Sequence, residues 1–213
     1  PASQTIVPDQ SATIQIGIDS GVDTVLIRPG SYAEVPVANR GVVIRGVLPS
    51  QPFVGFTVFE LPAMGGFIGH PNDGGTIQLI DVRVQGTTVI TPTNSEINLA
   101  RGCRFDAGLS VNGAGNVYVQ NCMVFGNCII NGMRSDVGRN TIIGGTLKVS
   151  ASATTIVHDN VIVGPAPLGI DGGSDVQLRD NYVRACVDGI RVSCDQNAGL
   201  SGNIVEDCSG TGY

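Results

Sequence analysis

A unit of the form apolar-x-x-Asn/Cys-x-apolar returns about every 20 residues along most of this chain, and no other property constrains its fold as tightly. The segments Val82–Val84, Cys103–Phe105, Cys122–Val124, Asn140–Ile142, Asn160–Ile162, Asn181–Val183 and Asn203–Val205 begin 21, 19, 18, 20, 21 and 22 residues apart. In the last five units an apolar residue stands three positions earlier, at Val119, Val137, Val157, Leu178 and Leu200. A second short apolar segment follows, as in Leu109–Val111, Cys128–Ile130, Leu147–Val149, Leu168–Ile170 and Ile190–Val192. Side chains alternate along a strand, so the first and third residues of each segment share one face and the middle residue takes the other. Strands this short cannot bury an apolar face alone, whereas coils stacked ~4.8 Å apart bury it in one continuous column. No helical pattern of ~10 residues separates the units, which argues against βαβ architectures. The predicted fold class is all-β: a right-handed, single-stranded parallel β-helix, a solenoid with coils of about 20 residues.

Composition agrees with that reading. Glycine is abundant at 30 residues, and charged residues make up 14%, against roughly 25% in an average domain. Many tight turns and few surface helices produce that balance. Asn140, Asn160, Asn181 and Asn203 recur at one corner of successive coils, where their amides can bond backbone and one another in a structural ladder. Cys103 and Cys122 continue the same row.

With these residues in view, the chain resembles the pectate-lyase-like superfamily of right-handed β-helix repeat proteins. The opening Ser11-Ala-Thr-Ile-Gln-Ile-Gly-Ile-Asp-Ser-Gly21, followed by Asp23-Thr-Val-Leu-Ile-Arg-Pro-Gly-Ser-Tyr32, is similar to that family's N-terminal capping helix and first strand. Ile14 and Ile18 are spaced to lie over the open top of the core, with the capping helix predicted over 11–21. One domain is expected over 1–213, with its clearest coils over 76–213 and an irregular stretch over 47–75. The sequence enters a coil at Asn203 and reaches Tyr213 before a further strand or cap. It therefore reads as a fragment open at its C-terminal end, covered there by a missing downstream segment or by self-association.

In the resembled family, ligands and catalytic groups lie on the outward face of the second strand. Here that face reads Ser110, Ile129, Lys148, Gly169 and Arg191, and beside it Asn112, Asn131, Ser150, Asp171 and Ser193. Gly169 is expected to leave a gap between Lys148 and Arg191, with Arg134 and Asp195 near the edge. The candidate ligand-binding set is Asn131, Lys148, Ser150, Asp171, Arg191 and Ser193. Cations would pair with uronate carboxylates, while amides and hydroxyls bond sugar hydroxyls. For β-elimination, Lys148 or Arg191 would have to act as base, with Asp171 beside them. Acidic calcium ligands, a family Arg-x-Pro-x-x-Arg-like segment and the paired Asp residues of polygalacturonases are missing, so calcium is implied by resemblance alone. His70 and His158 show no repeat-aligned partner, and Arg83 and Arg104 with Asp81 and Asp106 read as a surface ion-pair ladder.

Six cysteines lack zinc-like spacing, and no metal or other cofactor is expected. Cys186 and Cys208 each lie five residues after a ladder Asn, so they stack in adjacent coils as a possible disulfide. Cys128 reads as a core thiol. A net charge of −6 opposes nucleic-acid binding, and no apolar run is long enough for a membrane span. The start at Pro1 reads as a processed N-terminus, which favours an extracellular or cell-surface location. The leading expectation is a β-helix module that binds polysaccharide, acidic in kind, without a recognisable catalytic motif. The alternatives are a polysaccharide lyase or hydrolase, and a structural or adhesive protein that stacks through its open end.

Overall fold

A computed structural model describes residues 3–47, 61–91, 97–113, 115–151, 153–193 and 198–210. They form a parallel β-solenoid of about 9 turns, with three sheets of 10, 9 and 8 strands running along its length. Each complete coil contributes one strand to each sheet. In the best-defined part a coil runs through Asn116–Gln120 in the first sheet, Met123–Phe125 in the second and Cys128–Gly132 in the third. The next follows as Ser135–Gly138, Thr141–Ile143 and Leu147–Ala151. Every pairing between coils is parallel and in register, for example Val119 with Val137 and Val137 with Val157.

Alternation along each strand sends Val119, Val124 and Ile130 inward and leaves Tyr118, Met123 and Ile129 facing out. The inward rows meet in one continuous core that includes Phe67, Phe105, Ile142 and Ile162. Near the N-terminus the helix α1 (Ile14–Asp19) buries Ile14 and Ile18 against the first coils. The Thr13 side chain accepts from the Ile16 amide, and the Glu34 carboxylate accepts from the amides of Ile14 and Gln15. These bonds satisfy donors that a helix start leaves open, and they place a negative charge at its positive end. One strand was not foreseen: Gln4–Val7 heads the first sheet and pairs with Thr24–Ile27. It is short, and Pro8 follows it at once, so it carries too little alternation to be read alone.

Between the first and second sheets the chain turns sharply through a single residue of positive φ. Asp81, Gly102, Asn121, Arg139, Asp159, Asp180 and Gly202 all occupy this corner, at φ between 53° and 64°. Gly, Asn and Asp tolerate the left-handed region best, and Arg139 is the exception in the row. The ladder position comes next. The Asn160 amide donates to Val137 O at 2.8 Å and to Asn181 Oδ1 at 2.9 Å, while its own Oδ1 accepts from the backbone and side chain of Asn140. Asn140 and Asn181 repeat the pattern and are buried like Asn160, while the half-buried Asn203 donates to Leu178 O and accepts from Asn181. Cys103 keeps only the donor half, its thiol reaching Leu79 O at 3.3 Å. A shorter version stands at the entry to the first sheet, where Asn98 accepts from the Ile77 amide and Thr155 from the Ser135 amide.

The thiols of Cys103, Cys122, Cys128, Cys186 and Cys208 are free, and Cys194 lies outside the described residues. Cys186 and Cys208 occupy neighbouring coils without the possible disulfide; each thiol instead donates to a carbonyl two residues back, Arg184 O and Glu206 O. Cys128 is fully buried, and burial pushes its thiol pKa up to about 12.

The ladder predicts its own test. Replacing Asn160 by Leu leaves buried partners on two neighbouring coils unsatisfied, so urea unfolding should show a loss of about 1–3 kcal/mol. An unchanged midpoint at unchanged slope would show that the amide row contributes nothing to stability.

Candidate functional site

The outward face of the third sheet carries the candidate residues, but in a different register from the sequence expectation. Leu147, Lys148 and Val149 pair with Ile170, Asp171 and Gly172, and Asp171 pairs in turn with Arg191. The outward row is therefore Ser110, Ile129, Lys148, Asp171, Arg191. Gly169 does not lie between Lys148 and Arg191. It is buried, and a Cβ added there would come within 2.2 Å of Val183 Cγ1 and 2.6 Å of Gly189 O. The cause is the connection Gly164-Pro-Ala-Pro167. Ile170 follows Val163 by seven residues, whereas Leu147 follows Ile143 by four, though both pairs are in register. The longer link shifts the coil, and Ile170 rather than Leu168 takes the inward place above Leu147.

Asp171 thereby becomes the centre of the group. Its carboxylate accepts from Arg191 Nε at 3.1 Å and from Arg191 Nη2 at 3.0 Å, a two-point pairing, while Lys148 Nζ stands 4.0 Å from Oδ2. The Asp171 side chain is 18% exposed, against 51% for Lys148 and 68% for Arg191. Two cations thus share one carboxylate at the edge of a shallow hollow of about 230 Å³, lined also by Asn127, Ile129, Thr146 and Leu168. A parallel row beside it places Asn112, Asn131 and Ser150 in register, with Asn131 donating to Asn112 and Asn112 to Ser110. Ser193 is exposed at the far end, its amide bonded to Gly172 O. Asp195 lies outside the described residues.

As a base, Arg191 is poorly placed. The hydrogen bond to Asp171, with that carboxylate's charge, raises the guanidinium pKa, the reverse of what proton abstraction needs. Among the described residues no group of three or more His, Cys, Asp or Glu side chains could hold a metal ion. None of their helices is long and apolar enough to cross a membrane.

One arrangement escaped the sequence reading, and a second, the expected ion-pair ladder, forms around Asp106 alone. His158, on the outward face of the first sheet, stands between two carboxylates: Nδ1 lies 2.8 Å from Asp159 Oδ2 and Nε2 3.1 Å from Asp136 Oδ1. The coil below supplies Gly138 directly under the ring, which leaves the imidazole room to reach Asp136. Its partner is diagonal rather than aligned, so comparing equal repeat positions passes over it. On the second sheet Asp106 holds both Arg83 and Arg104, through bonds of 2.7 and 2.6 Å, whereas Asp81 serves the left-handed corner instead.

Comparison with known protein families, with curated proteins and with solved structures finds no match for this chain.

The His158 site predicts a pH response. The bond to Asp159 is the largest of the effects that raise its pKa; burial opposes it, and Asp136 adds to the rise. The folded pKa therefore exceeds the unfolded value of ~6.5, so the stabilisation is complete below ~6.5 and is lost as pH rises through the folded value. NMR titration should place the imidazole above the unfolded value, and Asp159→Asn should lower it. An unshifted titration in the parent protein would refute the carboxylate pairing.

Proposed function

We propose that this protein is an extracellular or cell-surface β-helix module, of the pectate-lyase-like kind, that binds acidic polysaccharide along the outward face of its third sheet. The observation that carries the reading is the Lys148–Asp171–Arg191 group. Two cations meet at one carboxylate beside a hollow, on a chain whose net charge is −6, and Asp188 is a further charge that acts on Arg191. Two partly exposed cations gathered against that background suit an anionic ligand, and arginine and lysine donors suit carboxylates on a sugar.

The surroundings support a saccharide over a bare ion. Asn112, Asn131 and Ser150 form a second outward row at the ~4.8 Å coil spacing, able to donate to and accept from hydroxyls. Gly173 follows Ser150 on the next coil and adds no side chain above it. A ligand lying along the solenoid axis would meet the charged row on one side and the amide–hydroxyl row on the other. The parallel solenoid with its buried Asn row agrees with the family resemblance, and the family's glycan chemistry supports the choice of ligand class. Lys148 and Arg191 then serve as binding residues, with Asp171 orienting the guanidinium.

Calorimetry with polygalacturonate should detect binding to the parent protein, weakened at least about tenfold, or ~1.4 kcal/mol, by Lys148→Ala combined with Arg191→Ala. Affinity should also fall as salt rises. Binding that survives the double substitution unchanged, or a parent protein that binds no acidic polysaccharide, would overturn the assignment.

A further inference from the structure

A larger hollow, about 720 Å³, lies on the second sheet, away from the face considered above. Arg83, Arg104 and Arg139 line it together with Ser31, Asn121 and Thr141. We infer that this cleft is a second, separate binding site for an oxyanion-bearing sugar unit, one carrying a carboxylate or a sulfate ester.

Three of the chain's 12 cationic side chains converge here. Asp106 organises two of them. It accepts from Arg83 Nε and Nη2 on one oxygen and from Arg104 Nε on the other, so the outer nitrogens of Arg104 have no partner among the described residues. The Arg104 guanidinium also lies over the Phe125 ring, 4.7 Å from its centroid, a cation–π contact that helps to hold it in place. Two guanidiniums are thereby presented in fixed orientation, the condition under which arginine recognises planar oxyanions well.

Arg139 supplies the third charge and the second line of support. It is exposed, and its side chain has no partner among the described residues. It also holds φ at 58°, in a corner row otherwise made only of Gly, Asn and Asp. A long side chain kept where the backbone disfavours it, aimed at a cleft with two other guanidiniums, has no structural return that Asn would not supply better. Its corner lies two coils beyond Arg104, ~10 Å along the axis. No carboxylate is among the described residues that line the cleft; Asp106 binds Arg83 and Arg104 from beside it, Asp81 stands over Gly102, and Asp159 follows Arg139 in the corner row.

Size and lining decide the ligand class. The volume far exceeds the ~30 Å³ share of a single water, so a bare anion would leave most of it unfilled. Ser31, Asn121 and Thr141 offer neutral donors and acceptors for hydroxyls between the charged ends.

The test uses two-dimensional NMR titration, which shows where a ligand sits, in the Lys148→Ala/Arg191→Ala background so that third-sheet binding cannot contribute. The probes are digalacturonate, a sulfated disaccharide, lactose as neutral control and inorganic sulfate. Amide shifts are expected at Gly102, Asn121 and Thr141 with one or both charged disaccharides. Response to one alone identifies carboxylate or sulfate as the anion. Arg139→Asn should keep or raise the melting temperature while weakening that binding at least fivefold, and Arg104→Gln should weaken it too. The inference falls if neither charged disaccharide shifts these amides, if lactose shifts them equally, or if inorganic sulfate binds as tightly as the disaccharides. It falls also if Arg139→Asn leaves affinity unchanged. Third-sheet binding can fail without any of these outcomes, and the reverse also holds.

Discussion

The corner between the first and second sheets is where this solenoid is most constrained. The chain turns sharply there through one left-handed residue, and the side chain of the next residue points into the interior. Such a turn leaves amides and carbonyls that no strand pairing can satisfy. The Asn side chain resolves this with one donor group and one acceptor: Asn160 bonds a carbonyl of the preceding coil while accepting from that coil's Asn140, and its amide also reaches Asn181 in the following coil. Because each amide spans three coils, it sets register as well as stability. Register matters because a one-residue slip would carry a whole inward row to the surface.

Where the row changes to cysteine, the chemistry thins. Cys122 still gives its backbone amide to Asn140 Oδ1, and Cys103 still donates to Leu79 O, but a thiol is a weak acceptor and cannot continue the chain of amides. The core then depends more on packing, with Phe105 and Phe67 filling the interior of those coils. At the other extreme, Leu200 occupies an inward position yet is 50% exposed.

Stacking also shapes the charged surface. Side chains at one position in successive coils lie ~5 Å apart, close enough to couple. The same device appears on two sheets: Asp106 between Arg83 and Arg104, and Asp171 between Lys148 and Arg191. For Asp106, burial favours the neutral form, but bonds from Arg104 and Arg83 outweigh it and hold the carboxyl below its usual range. Exposed pairs of this kind stabilise a fold only slightly. Their consequence is directional, since each carboxylate gathers two partly exposed cations at one place on an acidic molecule.

The repeat length, the parallel coil, the Asn row and the inward positions of most strands were legible in the sequence, because each depends on spacing alone. Val119, Val137 and Val157 sit above one another for the same reason that their spacings match. What spacing could not supply was register across a link of altered length. The Pro-containing segment 164–167 moved Asp171 into the row of Lys148 and Arg191, and Gly169 into the core, because the inward place above Leu147 went to Ile170. Diagonal partnerships were hidden as well: His158 with Asp136, and the convergence of Arg139 with Arg83 and Arg104, join residues at unequal repeat positions. The sequence by itself determined that this chain stacks, since apolar residues at a fixed period have no other way to leave water. Only the tertiary structure decided which charges meet, because side chains reach across coils to neighbours that the backbone period does not pair.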